Sequence, residues 1–147
     1  MSAYTQELTV NWGESDPFGL VYYAREVAWF NEVEHELFRQ IGYPINRMIN
    51  HDRSAFVMGE INFRFVGPAA YGDRVRCTLT LLEIREKTLH WQCEAINLCT
   101  DQLICEGRAT RVFAQIADDG NLSSKAIPDD IRAVSYTHLT LPTIYSV

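Results

Sequence analysis

Cysteine is scarce in this chain and never closely paired: its 147 residues include four, Cys77, Cys93, Cys99 and Cys105, with no C-x-x-C spacing. Cys77, Cys93 and Cys105 fall at strand positions, which reads as buried free thiols in a reducing compartment. Positive charge is also short, with 13 Lys and Arg against 19 Asp and Glu, a formal charge of -6 and a pI near 5.1. A general nucleic-acid binder carries a basic face, so that class is disfavoured, and an anionic ligand must be met by local positive groups. No H-E-x-x-H or similar spacing occurs, so no metal is expected. No apolar run approaches a membrane span, and the start, MSAYTQELTVNW, shows no basic leader followed by an apolar stretch. The expected location is cytoplasmic.

What remains is the composition of an ordinary globular domain, 47% hydrophobic and 22% charged, at a length that favours one domain. A chain of this size buries about two-thirds of its unfolded surface and can support a core without staples.

The stretch from Asp16 to Gly42 organises the chain. After Val21, the apolar residues Val27, Phe30, Val33, Leu37, Phe38 and Ile41 recur at helical spacing. Glu26, Glu32, Glu36, Arg39 and Gln40 lie between them, so one long amphipathic helix is expected. Gly42 can take the left-handed conformation that stops it, and Pro44 cannot continue it. Before the helix, Tyr4 to Trp12 alternates as a half-buried strand and Ser15-Asp16-Pro17 turns the chain. After it, Pro44 opens a connector with one or two helical turns. Strand-like alternation then runs over Glu60 to Phe65, Arg74 to Ile84, Thr88 to Leu98 and Leu103 to Ala117, the last with burial on both sides over part of its length.

One strand, one long helix and then a meander of strands is an α+β order, and an antiparallel sheet curled round a central helix is the economical architecture. Such a sheet leaves edges uncovered, and a second copy would cover them, so a homodimer at least is expected. From Ser135 onward the sequence, SYTHLTLPTIYSV, fits neither alternation nor helical spacing. The expectation is a domain over residues 1–134 followed by a non-native or disordered tail over 135–147.

Asp16 is the residue with chemical promise. The first N–H groups of a helix lack internal partners and, with the helix dipole behind them, can polarise a carbonyl or hold an oxyanion. A carboxylate a few residues earlier can bend back beside them, which is the pairing that acyl transfer needs. On residue type alone, a helix N-cap or an Asp-Pro turn former is the commoner role for such a residue.

The segment SDPFGLVYYAREVAWF resembles the motif of hotdog-fold acyl-CoA thioesterases of the 4-hydroxybenzoyl-CoA thioesterase family: Asp-Pro-x-Gly-hydrophobic-Val-aromatic-Tyr, then a long helix bearing a Trp. The similarity extends along most of residues 4–132, with Asn62-x-x-Phe65-Val66, Ala69-x-Tyr71-x-Asp73, Lys87 and Arg111-Val112-Phe113-Ala114 at matching places. The resemblance implies a hotdog fold, a homodimer or homotetramer, and hydrolysis of a coenzyme A thioester without metal or cofactor. It also implies Asp16 as catalytic nucleophile or general base, and the Tyr23 backbone N–H as carbonyl polariser. Phe18 and Gly19 would sit at the substrate. Tyr23 stands where the related Tol-Pal-associated group carries His, which leans towards an aryl-CoA such as 4-hydroxybenzoyl-CoA. Ala24-Arg25-Glu26 departs from the family's usual Pro-Asn-Tyr or Ala-Asn-Tyr.

An unperturbed carboxylate is a weak attacker in water, and burial against Trp12, Phe18 or Trp29 would strip its hydration. Arg85 and Lys87, with Thr88 beside them and Lys125 further on, are candidates for the phosphates of coenzyme A. Phe56, Val57 and Met58 begin the strand that in the resembled family lines the acyl pocket from the partner subunit. His35 reads as a solvated or interface histidine, His51 as close enough to approach a site, and His90 as exposed. Hydratases on this fold use an Asp-x4-His pair, and the corresponding position here is Val21. Release of acyl groups from acyl carrier protein would need a basic docking surface, which the charge does not offer. A non-catalytic acyl-CoA-binding module is the alternative from another class, although binding alone needs no carboxylate beside the thioester.

Overall fold

A computed structural model describes residues 3–139. In chain order the elements are β1 (Ala3–Thr9), α1 (Tyr23–Gln40), α2 (Ile45–Asn50), β2 (Ser54–Phe65), β3 (Arg74–Ile84), β4 (Thr88–Asn97), β5 (Gln102–Ile116), β6 (Leu122–Ser124) and α3 (Asp129–Leu139). The strands form one antiparallel sheet in the order β1-β3-β4-β5-β2, with β6 added to β5. The sheet wraps α1, which is the hotdog arrangement expected from the sequence.

Alternation decides which face of each strand meets the helix. Val75, Cys77, Leu79 and Leu81 of β3 and Leu89, Trp91, Cys93 and Ala95 of β4 are all buried, while their neighbours face outward. Phe30, Val33, Leu37 and Phe38 of α1 press onto that surface together with Trp29. The helix stops as its sequence dictates: Gly42 has a φ of 97°, its N–H bonds the Arg39 carbonyl, and the Tyr43 N–H reaches back to the Phe38 carbonyl at 2.8 Å.

Four boundaries differ from the sequence reading. β1 ends at Thr9, because Val10 turns away to exchange hydrogen bonds with Gly72 and Asp73. Trp12 therefore lies outside the strand, in a short 3-10 turn over Trp12–Glu14. Glu14 holds that turn, accepting from the Asn11 N–H through one oxygen and from the Trp29 indole through the other at 2.7 Å. β2 begins at Ser54, not near Glu60, because its register shifts between Met58 and Glu60. A bulge there reverses which parity faces inward, so no single alternation runs through the strand. β6 was not expected. α3 continues through Leu139, so the expected domain boundary at 134 falls inside a helix, and Ser135 is buried. The remainder of the expected tail, 140–147, lies outside the described residues.

Candidate active site

The loop between Ser15 and Val21 is a closed turn pinned to the domain at both ends. Ser15 bridges Val21, Leu20 bridges Ala70, and the Val21 N–H donates to the Ala69 carbonyl at 2.8 Å. Within it the Asp16 N–H bonds the Leu20 carbonyl and the Gly19 N–H bonds the Asp16 carbonyl, at 2.8 and 2.9 Å. Asp16 Oδ1 accepts from the N–H groups of Phe18 and Leu20 at 2.8 and 3.2 Å. One carboxylate oxygen thus builds the turn, an Asx arrangement, and Gly19 supplies the φ of 80° that closes it. The turn-forming role considered from the sequence is present in the geometry. Oδ2 makes no hydrogen bond among the described residues.

The turn delivers the chain to α1 with its first donors open. Tyr22 is the N-cap in an extended conformation, without a side-chain cap, and its carbonyl takes the N–H groups of Arg25 and Glu26. The N–H groups of Tyr23 and Ala24 have no partner among the described residues, as the first positions of a helix require. Asp16 and this uncapped helix start are therefore joined by a short, fixed loop.

Around it lies an open aromatic surface. Trp12, Phe18 and Tyr23 are 72%, 86% and 67% exposed. Trp12 packs edge-on to Tyr71 and Tyr23 edge-on to Phe65, with centroids 5.5 and 5.8 Å apart. The expected burial of Asp16 against Trp12, Phe18 or Trp29 is absent within one chain. Trp29 is buried but engaged with Glu14, and the other two face outward.

Behind the helix start, a cleft of about 350 Å³ runs between α1 and the inner face of the sheet. Ala24, Val27, Ala28 and Asn31 form its helical side, and Met58, Ile61 and Phe63 stand on the β2 side. Its inner end is polar: Arg111 of β5 donates to Glu34 Oε1 at 2.7 Å and to Asn31 Oδ1 at 2.8 Å. Burial pushes the Glu34 carboxyl above its ordinary pKa, and the Arg111 charge opposes that shift. His35 beside them is pushed down by burial and by Arg111. Nearer the helix start, Glu26 is buried and its pKa is raised to about 7 by desolvation.

The other expected site residues are spread more widely. Met58 lines the cleft, Val57 is half-buried, and Phe56 is a core residue stacked on Phe38 and edge-on to Phe113. Arg85, Lys87 and Thr88 sit at the β3–β4 turn, at the end of the sheet away from α1's start. There Arg85 pairs with Glu83 at 3.0 Å, the Lys87 carbonyl accepts the Phe113 N–H, and Thr88 bonds His90. Lys125 is exposed on the segment after β6. One chain thus brings Asp16, Phe18, Gly19 and Tyr23 together and leaves the phosphate candidates apart from them. His51 is exposed, whereas His90, expected to be exposed, is half-buried between Thr88 and Thr110. Sequence reasoning passed over Glu34, Asn31 and Trp91 and gave Arg111 no role.

The solved structures this fold resembles include thioesterases. An Asn-for-Asp variant of 4-hydroxybenzoyl CoA thioesterase complexed with 4-hydroxybenzoyl CoA superposes with a TM-score of 0.82, at 21% identity, over 91% of this chain and 99% of that one. A 1,4-dihydroxy-2-naphthoyl-CoA thioesterase from Synechocystis gives 0.79 at 17% identity, covering 90% and 94%. Residues 10–134 match the model of the thioesterase-like superfamily, and the chain belongs to that family. Among curated proteins it is similar to the 1,4-dihydroxy-2-naphthoyl-CoA hydrolase of Thermosynechococcus vestitus, 27% identical over 71 residues, 48% of this chain and about half (49%) of that protein's length. No helix among the described residues is long and apolar enough to cross a membrane.

Proposed function

We propose that this protein hydrolyses an acyl-CoA thioester to the free acid and coenzyme A, with an aromatic acyl group as its substrate class. The observation that carries the reading is the fixed loop joining Asp16 to the uncapped start of α1. A thioester carbonyl placed at the Tyr23 N–H would gain negative charge on oxygen as its carbon is attacked, and helix-terminal donors favour that charge. Asp16 acts through its free oxygen, as nucleophile or as base towards water. Water supplies OH to the acyl carbon and a proton to the departing sulfur, so the C–S bond is exchanged for a C–O bond. The relatives named above support the substrate class, since the acyl groups in their names are hydroxylated aromatics.

The missing cover over Asp16 comes, in this reading, from a second copy. The edge strand β2 exposes Met58, Ile61 and Phe65, and Val66 follows. An apolar sheet edge is a template for pairing. Antiparallel pairing of two β2 edges would carry the partner's β3–β4 turn, with its basic residues, towards the helix start of the first chain. We place the protein in the cytoplasm as a homodimer or a dimer of dimers, with Cys77, Cys93, Cys99 and Cys105 free.

The test is release of free thiol from benzoyl-, 4-hydroxybenzoyl-, hexanoyl- and palmitoyl-CoA, with the Asp16→Asn variant beside the wild type. Turnover that depends on Asp16 and ranks aryl above alkyl substrates is expected. Binding of these thioesters without hydrolysis, unchanged in Asp16→Asn, would replace the enzyme by a binding module.

A further inference from the structure

The turn between β3 and β4 is held from behind by the last helix. Arg132 of α3 donates through Nη2 to the Arg85 and Glu86 carbonyls at 2.9 and 3.2 Å, and the Ile127 N–H donates to the Glu86 carbonyl at 2.8 Å. The Lys87 carbonyl takes the Phe113 N–H at 2.8 Å, and the Thr88 carbonyl takes the Arg85 N–H at 2.9 Å. Every carbonyl from Arg85 to Thr88 is therefore occupied, whereas the tip of a surface hairpin ordinarily leaves some to water. The N–H groups of Glu86 and Lys87 have no partner among the described residues. The turn has closed its acceptors and kept its donors open.

Side-chain charge shows the same asymmetry. Arg85 and Lys87 are exposed, and Lys125 lies beside them: its N–H bonds the Phe113 carbonyl, and the Phe113 N–H in turn bonds Lys87. Arg132 adds a cation with no carboxylate partner among the described residues. Against these stand the turn's own carboxylates, Glu86 and Glu83, the latter taken by Arg85 at 3.0 Å. The brace is anchored at its other end, since Ile127 and Ile131 are buried and Asp130 accepts from the Tyr43 hydroxyl at 2.9 Å.

We infer that Arg132 is a positioning residue for the nucleotide arm of coenzyme A: it fixes the turn so that Arg85, Lys87 and the open N–H groups of the tip meet the phosphates. The inference rests on the acyl-CoA thioesterase reading. Phosphate oxygens favour cations and convergent N–H donors. A turn already held in place loses less freedom on binding than a loose hairpin tip. The acyl and pantetheine parts carry no phosphate between them, so the effect of Arg132 is confined to the nucleotide arm.

The experiment compares 4-hydroxybenzoyl-CoA with the 4-hydroxybenzoyl thioester of pantetheine, which lacks the phosphates and the nucleoside. Arg132→Met is expected to raise KM for the coenzyme A thioester on the order of tenfold with kcat kept, and to leave both constants for the pantetheine thioester unchanged. Arg132→Lys, which can still donate to one carbonyl, should recover part of the loss. If Arg132→Met does not fold, Arg132→Lys carries the same comparison with a smaller rise in KM. Equal losses on both substrates would make Arg132 a structural residue only, and no loss on either would leave it without this role. Both results overturn the inference and leave the thioesterase reading standing. If no thioester turns over, titration with coenzyme A and with pantetheine decides: weakening of coenzyme A alone in the variant upholds the positioning role while hydrolysis falls, and an unchanged coenzyme A affinity overturns it.

Discussion

Around Asp16 the chain is open: a half-exposed carboxylate with one oxygen committed to its turn, an uncapped helix start, and Trp12, Phe18 and Tyr23 facing outward. Around Glu34, three turns further along the same helix, the chain is closed: a carboxylate under 10% exposed, clamped by Arg111 and walled by the sheet. The first arrangement leaves a charge able to react once another molecule covers it. The second fixes a charge that cannot leave without exposing its partner. A helix of 18 residues carries both because its start offers free N–H groups and its middle offers none.

Breaking the closed region gives the largest expected change in stability. Arg111→Met leaves the Glu34 carboxylate buried without its cation and is expected to cost about 3–5 kcal/mol in urea unfolding. Adding Glu34→Leu to that variant should recover most of the loss, since an apolar pair of similar volume needs no compensation. Failure of the double variant to recover would mean that the pair does more than balance its own charges.

Glu26 tests the ground between the two regions. Its folded pKa of about 7 lies above the ordinary 4.5 because burial penalises the charged form. Between those values the folded protein keeps a proton that the unfolded chain has released. Stability therefore falls as pH rises through that window, by up to about 3 kcal/mol once pH passes 7. Melting temperatures from pH 4.5 to 8 should show this slope, and Glu26→Gln should flatten it. The smallest effect is expected at the exposed Arg39–Glu36 pair, 2.5 Å apart on the outer side of α1. Glu36→Gln should leave the melting temperature unchanged within error, because solvent already screens that pair.

The framework was legible where pattern and geometry coincide. Alternation from Arg74 to Ile84 gave β3 to the residue, and Gly42 with Pro44 located the end of α1. Legibility failed where one residue changes the phase, as the bulge between Met58 and Glu60 does in β2. It failed too for Trp12, which continues an alternation that Glu14 and Val10 interrupt by local hydrogen bonds. At the site, the Asp16 turn stood out because Asp-Pro and Gly constrain a backbone locally. The Glu34–Arg111 pair was hidden because the helix stripe and the strand faces were drawn from apolar residues alone, so neither charged residue was assigned a face. A signal existed: Glu34 lies four residues from both Phe30 and Phe38, and Arg111 shares the inward parity of Ala109 and Phe113. Two opposite charges on buried phases are partners in waiting, and a sequence search could ask for them.

The central claim is that the open end of α1 does the chemistry, and thiol release by Asp16→Asn, read together with its melting temperature, tests it most directly. Asn keeps the side-chain oxygen that accepts from Phe18 and Leu20, so the account predicts a melting temperature close to wild type and loss of nearly all turnover. Near wild-type turnover in a variant that melts normally would contradict it.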